Sequence, residues 1–282
     1  MKLANLRGRL TMITESGGVD VETASRGRFA ADPQAIFPQW TAFRAWAADV
    51  TSAATESMLE ADLGPPVPRP TQVFGIGLNY RDHAAESGLP LPESPATFTK
   101  FPSCLTGPNA AVELPSPIVD WEVELVVAIG TLARRVTVDD AWRHVAGLMV
   151  GQDLSERVVQ WAGGGQFSLG KSFPGFGPIG PWLVTPDEFA NPDDLELGCS
   201  IDGERVQKSR TGDMVFSVPR LIAELSAILP LLPGDLIFTG TPAGIGATRK
   251  PPRFLRPGEV LTSSIEGIGS LRNLFVAAST GA

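Results

Sequence analysis

The stretch Asp120-Trp121-Glu122-Val123-Glu124-Leu125-Val126-Val127-Ala128-Ile129-Gly130 sets two carboxylates into what otherwise reads as a buried β-strand. Side chains alternate between the faces of a strand. Glu122 and Glu124 therefore share one face, while Trp121, Val123, Leu125, Val127 and Ile129 form the other. Burying two neighbouring like charges is costly unless a cation neutralises them, and no Lys or Arg stands within the stretch. A divalent metal ion would meet that need. The competing reading, a solvated edge-strand face without metal, conflicts with the long apolar run around the two acids.

Other residues with chemical potential lie on either side. Asp153 ends the apolar run Leu148–Gln152, where a third carboxylate can approach the first two, although a helix N-cap is the commoner use of such an Asp. Arg157 and Gln160 follow it three residues apart, on what would be one helical turn. His83 and Glu86 have the same spacing in Asn79-Tyr80-Arg81-Asp82-His83-Ala84-Ala85-Glu86. On a helix the carboxylate can orient and charge-stabilise the imidazole, making a general-base pair; a solvated polar turn is the plainer alternative. The other histidine, His144, reads as structural or surface. Gly165 to Ser172 nominally meets the spacing of a phosphate loop, but Phe173-Pro174-Gly175 cannot open the helix that such a loop requires, so that reading is rejected. Asp235–Gly246 reads as a buried strand running into a glycine-rich turn whose amides could cradle an anion.

These residues need a scaffold, and the totals constrain it. The 282 residues include 25 Pro and 30 Gly, which favours many turns and short strands over long helices, and the expectation is a β-rich α+β fold. Residues 1 to about 31 read as short strands, and 38 to 60 as a helix with Trp40, Phe43, Trp46 and Ala47 at helical spacing. The Pro-rich stretch Leu63–Pro70 then separates a small N-terminal domain, residues 1–70 with the linker, from a main domain, residues 71–282. Residues 87 to 117 show no sustained period and read as loop and a candidate lid, with Lys100-Phe101-Pro102-Ser103 exposed. A hairpin is expected around Asp202-Gly203, a helix from Met214 to Leu229, and one or two closing strands over 258–271.

A net charge of −8 argues against nucleic acid. Two distant cysteines suggest neither a disulfide framework nor a zinc site. With charges near Met1 and no long apolar run, neither a signal peptide nor a membrane span is expected, and a cytoplasmic protein is.

Taken together, Gly77-Leu78-Asn79-Tyr80 with His83 and Glu86, Asp120-Trp121-Glu122-Val123-Glu124-Leu125, Asp153 with Arg157, Lys171-Ser172-Phe173, Gln207 in its hairpin, and Thr239-Gly240-Thr241-Pro242 resemble the fumarylacetoacetate hydrolase family. The likeness runs in order from about residue 72 to 275. It implies a mixed β-barrel or β-roll with few helices, usually a homodimer, holding Mg²⁺ or Mn²⁺ (sometimes Ca²⁺) on Glu122, Glu124 and Asp153. Oxygen ligands of this kind suit hard cations. The resemblance further implies a 2-oxo acid substrate, often an acylpyruvate, chelated by the metal. His83 with Glu86 would activate water for C–C cleavage through a metal-bound enolate, and Lys171 would stabilise the developing charge. Tyr80, Arg157, Gln160, Gln207 and Thr241 match positions near the substrate. This chain has Gln152 where many relatives have Asn, which leaves the ligand Asp153 in place. It has Pro174 where many have Asp, which removes a carboxylate from the lysine loop.

The leading expectation is a metal-dependent hydrolase acting on a C–C bond of an acylpyruvate-like 2,4-dioxo acid. Decarboxylation, isomerisation or dehydration of a 2-oxo acid on the same scaffold is the alternative within enzymes, and a metal-binding oligomeric scaffold is the alternative outside them.

Overall fold

The computed structural model describes residues 1–50 and 60–278. Two sheets dominate. The larger has eleven strands, nine of them in the order Gly17–Asp20, Arg9–Thr14, Lys2–Leu6, Gly177–Val184, Val145–Gln152, Val123–Ile129, Leu236–Phe238, Val73–Gly77 and Ala96–Thr99. The smaller has five, in the order Glu204–Arg210, Glu196–Ile201, Val260–Ile265, Gly269–Ala277 and Ala111–Leu114. This is the expected sheet-rich α+β architecture, and its helices are few and short.

Val123–Ile129 lies between Val145–Gln152 and Leu236–Phe238, and every one of its residues is buried. Beyond Glu124 the strand is apolar on both sides because both of its faces are covered. Val123, Leu125, Val127 and Ile129 pack with the five-stranded sheet (Leu197, Leu261, Leu271) and the helix Val218–Ile228 (Leu221, Ile222). Val126 and Ala128 pack oppositely against Phe37, Trp40 and Phe43 of the N-terminal segment. Strand pairing begins only at Val123. The Glu122 and Val123 amides are instead capped by the side-chain carbonyls of Gln152 (2.9 Å) and Gln207 (3.0 Å).

The N-terminal strands continue the large sheet: Leu3 pairs with Leu183, and Leu63–Gly64 at the head of the Pro-rich stretch pairs with Leu6 and Asn5. The helix expected over 38–60 is Trp40–Ala47, preceded by a 3₁₀ segment, Pro33–Gln39; residues 51–59 of that expectation lie outside the described residues. The hairpin turns at Asp202 and Gly203, whose φ values of 48° and 86° suit a two-residue turn.

Residues 87–117 are more ordered than expected. Ala96–Thr99 is an antiparallel edge strand on Val73–Gly77, and Ala111–Leu114 pairs with Gly269–Ala277. Strands this short, set between prolines, leave no periodic signal. Lys100, expected on the surface, is fully buried. No helix among the described residues is long and apolar enough to cross a membrane.

Candidate active site and metal centre

Glu122, Glu124 and Asp153 are brought together by adjacent strands, and one oxygen of each lies within 4.8 Å of the others. The Glu122 carbonyl accepts from the Asp153 amide (2.9 Å), which locks the two ligand-bearing segments together. Three cations converge on the acids. Lys171 Nζ donates to Glu122 (2.7 Å) and Asp153 (2.6 Å), Arg157 reaches Glu122 (2.8 Å), and Lys100 Nζ donates to the other Asp153 oxygen (2.7 Å). Burial works to raise the Glu122 carboxyl, but Lys171 and then Arg157 outweigh it and hold it below the ordinary carboxylate range. Lys171 is likewise held charged: burial alone would lower its ammonium, and Asp153 and Glu122 raise it.

Glu124 differs. It accepts from the Gly240 amide (2.8 Å), and burial, then the charges of Asp153 and Glu122, push its carboxyl well above the ordinary range. Protein cations thus leave part of the negative charge here unmatched, and the donors are all carboxylate oxygen. Both features fit a hard divalent cation on Glu122, Glu124 and Asp153.

His83 and Glu86 lie on the short helix Arg81–Glu86, and Nδ1 is 2.8 Å from Glu86 Oε1. Burial would raise Glu86; the bond to His83 and the Gly244 amide hold it down. An ionised Glu86 can only accept, so Nδ1 carries the proton and Nε2 is left free to take another.

The glycine turn does cradle anions, and they are the protein's own. Gly240 N donates to Glu124, Gly244 N to Glu86 (3.0 Å), and Gly246 N and Ala247 N to Asp120 (2.7 and 3.0 Å). Gly240 and Gly244 have φ of 100° and 105°, a region that favours glycine. A Cβ on Gly246 would stand 1.9 Å from the Arg253 carbonyl oxygen. Asp120, read from sequence only as the head of the strand, in turn holds Arg157 through Nε (2.9 Å) and Nη2 (2.6 Å). Asp120 and Lys100 are the two site-building residues that sequence reasoning missed. Lys100 also donates to the carbonyls of Lys171 and Phe176.

A cleft of about 370 Å³ opens over this cluster, lined among others by His83, Glu122, Arg157, Gln160, Lys171 and Thr241. Gln160 accepts from Arg157 (2.9 Å), leaving its NH₂ as the donor it can offer. The Thr241 hydroxyl already donates to the Val123 carbonyl and accepts from Gln207.

Tyr80 and Gln207, expected near the substrate, do not line the cleft. Tyr80 is in the main core, its hydroxyl lacks a hydrogen-bond partner, and burial raises the phenol. Gln207 is a strut whose carbonyl caps Val123 and whose NH₂ donates to Thr241 Oγ1 (2.9 Å) and the Pro242 carbonyl (2.8 Å). Gln207→Leu should therefore lower unfolding stability by about 1–3 kcal/mol for each buried group left unpaired, read from denaturant melts. Unchanged stability with a raised KM would instead make Gln207 a ligand-contacting residue.

His144 keeps a structural place, its Nδ1 3.1 Å from Thr131 Oγ1. Cys104 and Cys199 are free and buried. No helix follows the Gly165–Ser172 loop, as its prolines dictate.

Residues 72–276 match the family model for the fumarylacetoacetate hydrolase C-terminal domain. Among solved structures, an HpcE protein of Mycobacterium smegmatis, provisionally so named, is 53% identical over 99% of this chain and 100% of its own, with a TM-score of 0.96. A 5-carboxymethyl-2-hydroxymuconate delta-isomerase of the same organism is 28% identical over 99% of this chain and 100% of its own, TM-score 0.76. A maleylpyruvate hydrolase of Sphingobium sp. SYK-6, solved with manganese(II) and pyruvate, is 27% identical over 99% of this chain and 100% of its own, TM-score 0.81. The chain belongs to the fumarylacetoacetate hydrolase family.

Proposed function

We propose that this chain is a divalent-metal-dependent hydrolase that cleaves the C–C bond between the two oxo groups of an acylpyruvate-like 2,4-dioxo acid. The observation that carries the reading is the His83–Glu86 pair on a cleft that also exposes Glu122 and Lys171. A water-consuming reaction needs a base, and this is one. The manganese and pyruvate of the Sphingobium hydrolase agree with the same chemistry.

Mg²⁺ or Mn²⁺ on Glu122, Glu124 and Asp153 would supply Lewis acidity toward the 2-oxo acid end of the substrate. The protein's own groups do the rest. His83 Nε2 takes a proton from water as its oxygen adds to the distal carbonyl, and Glu86 stabilises the imidazolium formed. The C–C bond then breaks; its electron pair leaves with the pyruvate half, which takes up a proton, and the acyl half departs as a carboxylic acid. Lys171, held charged at the floor, stabilises the negative charge that grows on the leaving half. Arg157, fixed by Asp120, keeps Glu122 ionised.

Isomerisation of an unsaturated 2-oxo diacid is the second reading, favoured by the likeness to the M. smegmatis isomerase. Purified protein loaded with Mg²⁺ and offered acylpyruvates, oxaloacetate and an unsaturated 2-oxo diacid separates the two. Hydrolysis of acylpyruvates is expected; isomerisation of the diacid without it would overturn the proposal. Chelation with EDTA should abolish turnover and leave the protein folded, with Mg²⁺ or Mn²⁺ restoring activity. Unfolding on chelation would favour a metal-dependent scaffold.

A further inference from the structure

The cleft has two chemically different ends. Glu122, Lys171, Arg157 and His83 gather at one end; the apolar lining runs from buried Phe98 and Ile245 out to exposed Leu89 and Trp161, with Leu78 and Phe167, and Ser87, Gln160, Thr241 and Thr248 add neutral polar groups. An aromatic run joins rim to floor. The Trp161 and Phe167 rings meet edge-on at 5.0 Å, Phe167 and Phe98 at 5.8 Å, and Lys171 Nζ lies 5.1 Å from the Phe98 centroid. Trp161 and Leu89 are 61% and 47% exposed at the rim, apolar surface that a bound chain would cover.

Charge is distributed just as unevenly. Among the described residues lining the cleft, Arg157 and Lys171 are the cations, and both are bound to carboxylates at the inner end. A ligand anchored there by its 2-oxo acid group meets a mainly apolar lining with its other end, with neutral donors such as the Gln160 NH₂ but no further cation. A second carboxylate on that end would lose water and find no counter-charge, whereas an alkyl chain would gain from leaving water.

We propose that the cleft selects 2,4-dioxo acids whose acyl group is an uncharged alkyl chain and discriminates against those with a second carboxylate at that end. The inference rests on the 2-oxo acid reading of the site and names the substrate class within it. It sets this chain apart from an enzyme for maleylpyruvate, whose far end is a carboxylate.

The test separates binding from turnover. Calorimetry of Mg²⁺-loaded protein with 2-oxo acids that have no 4-oxo group, from 2-oxobutyrate to 2-oxooctanoate, should show affinity rising about fourfold per methylene (about 0.8 kcal/mol at 1.4 kcal/mol per tenfold) and levelling off as the chain reaches Trp161. A 2-oxo diacid of matched length should bind at least about tenfold more weakly, since its terminal charge finds no cation to pair with. Leu89→Arg, placed at the exposed rim where the fold tolerates it, should narrow that gap. Kinetics run beside it with short- and long-chain acylpyruvates and a dioxo diacid. Tight, length-dependent binding of monoacids without C–C cleavage would support the selectivity and overturn the hydrolase reading. Cleavage that favours the diacid, or diacid binding as tight as the matched monoacid, would overturn the selectivity and leave the hydrolase reading standing. Failure to bind any 2-oxo acid would overturn both.

Discussion

His83→Ala should lower the rate of acylpyruvate hydrolysis by about 10²–10⁴-fold, the usual contribution of a positioned general base, with little change in KM. The asymmetry follows from geometry. His83 lines the cleft with its Nδ1 engaged by Glu86, and among the described residues no hydrogen bond joins it to Glu122, Glu124 or Asp153. A slow decarboxylation of oxaloacetate, which consumes no water, should survive. Glu86→Gln should fall less far than His83→Ala, because the imidazole remains and only its orientation and charge partner are weakened. Steady-state kinetics of both variants on both substrates decide the matter: equal loss of decarboxylation and hydrolysis would remove His83 from the role of water-activating base.

Lys100→Met should be the most destabilising single change among the residues of the cluster that do not touch the cleft. Lys100 is fully buried, with its ammonium on Asp153 and two backbone carbonyls and 5.5 Å from the Phe238 ring centroid. Methionine fills much of the stem's volume but leaves Asp153 with one cation where it had two. Breaking a buried pair costs about 3–5 kcal/mol, and the lower end applies because Lys171 still holds the second oxygen. A fall in Tm of about 6–12 °C follows for a chain of this size. The charge balance adds a second signature. Lys100, Arg157 and Lys171 are the three cations that face Asp120, Glu122, Glu124 and Asp153, and the substitution removes one of them without removing an acid. Mg²⁺ should accordingly raise the melting temperature of the variant more than that of the parent, measured by differential scanning fluorimetry. A variant that melts with the parent and gains no more from Mg²⁺ would show that Lys100 carries no net stabilisation.

What could be read from the sequence was whatever depends on neighbours along the chain. The alternation through Val123–Ile129, the one-turn spacing of His83 and Glu86, the Asp202-Gly203 hairpin and the amide-rich turn after Phe238 all follow from local periodicity and backbone freedom. What could not be read was partnership at a distance. Lys100 looked solvated because nothing beside it is acidic; its partners stand 53 and 71 residues away. Asp120 gave no sign of its bond to Arg157, 37 residues on, and Gln207 and Tyr80 looked like contact residues because position in a motif does not say which side of a wall a side chain occupies. The strands within 87–117 were hidden because edge strands of two to four residues are held by the sheet they join.

The glycine turn from Gly240 to Ala247 holds Glu124, Glu86 and Asp120 by their carboxylates, and through Asp120 it holds Arg157. The aromatic walls at Phe98, Trp161 and Phe167 come from other segments, and of the apolar wall residues named above only Ile245 belongs to the turn. Reactivity and taste are thus inherited separately. A descendant of this chain could exchange its outer aromatic residues and change diet while its proton-transfer pair and its carboxylate floor stayed in register, whereas one added methyl at Gly246 would press on the Arg253 carbonyl and on Asp120, and through Asp120 on the guanidinium of Arg157.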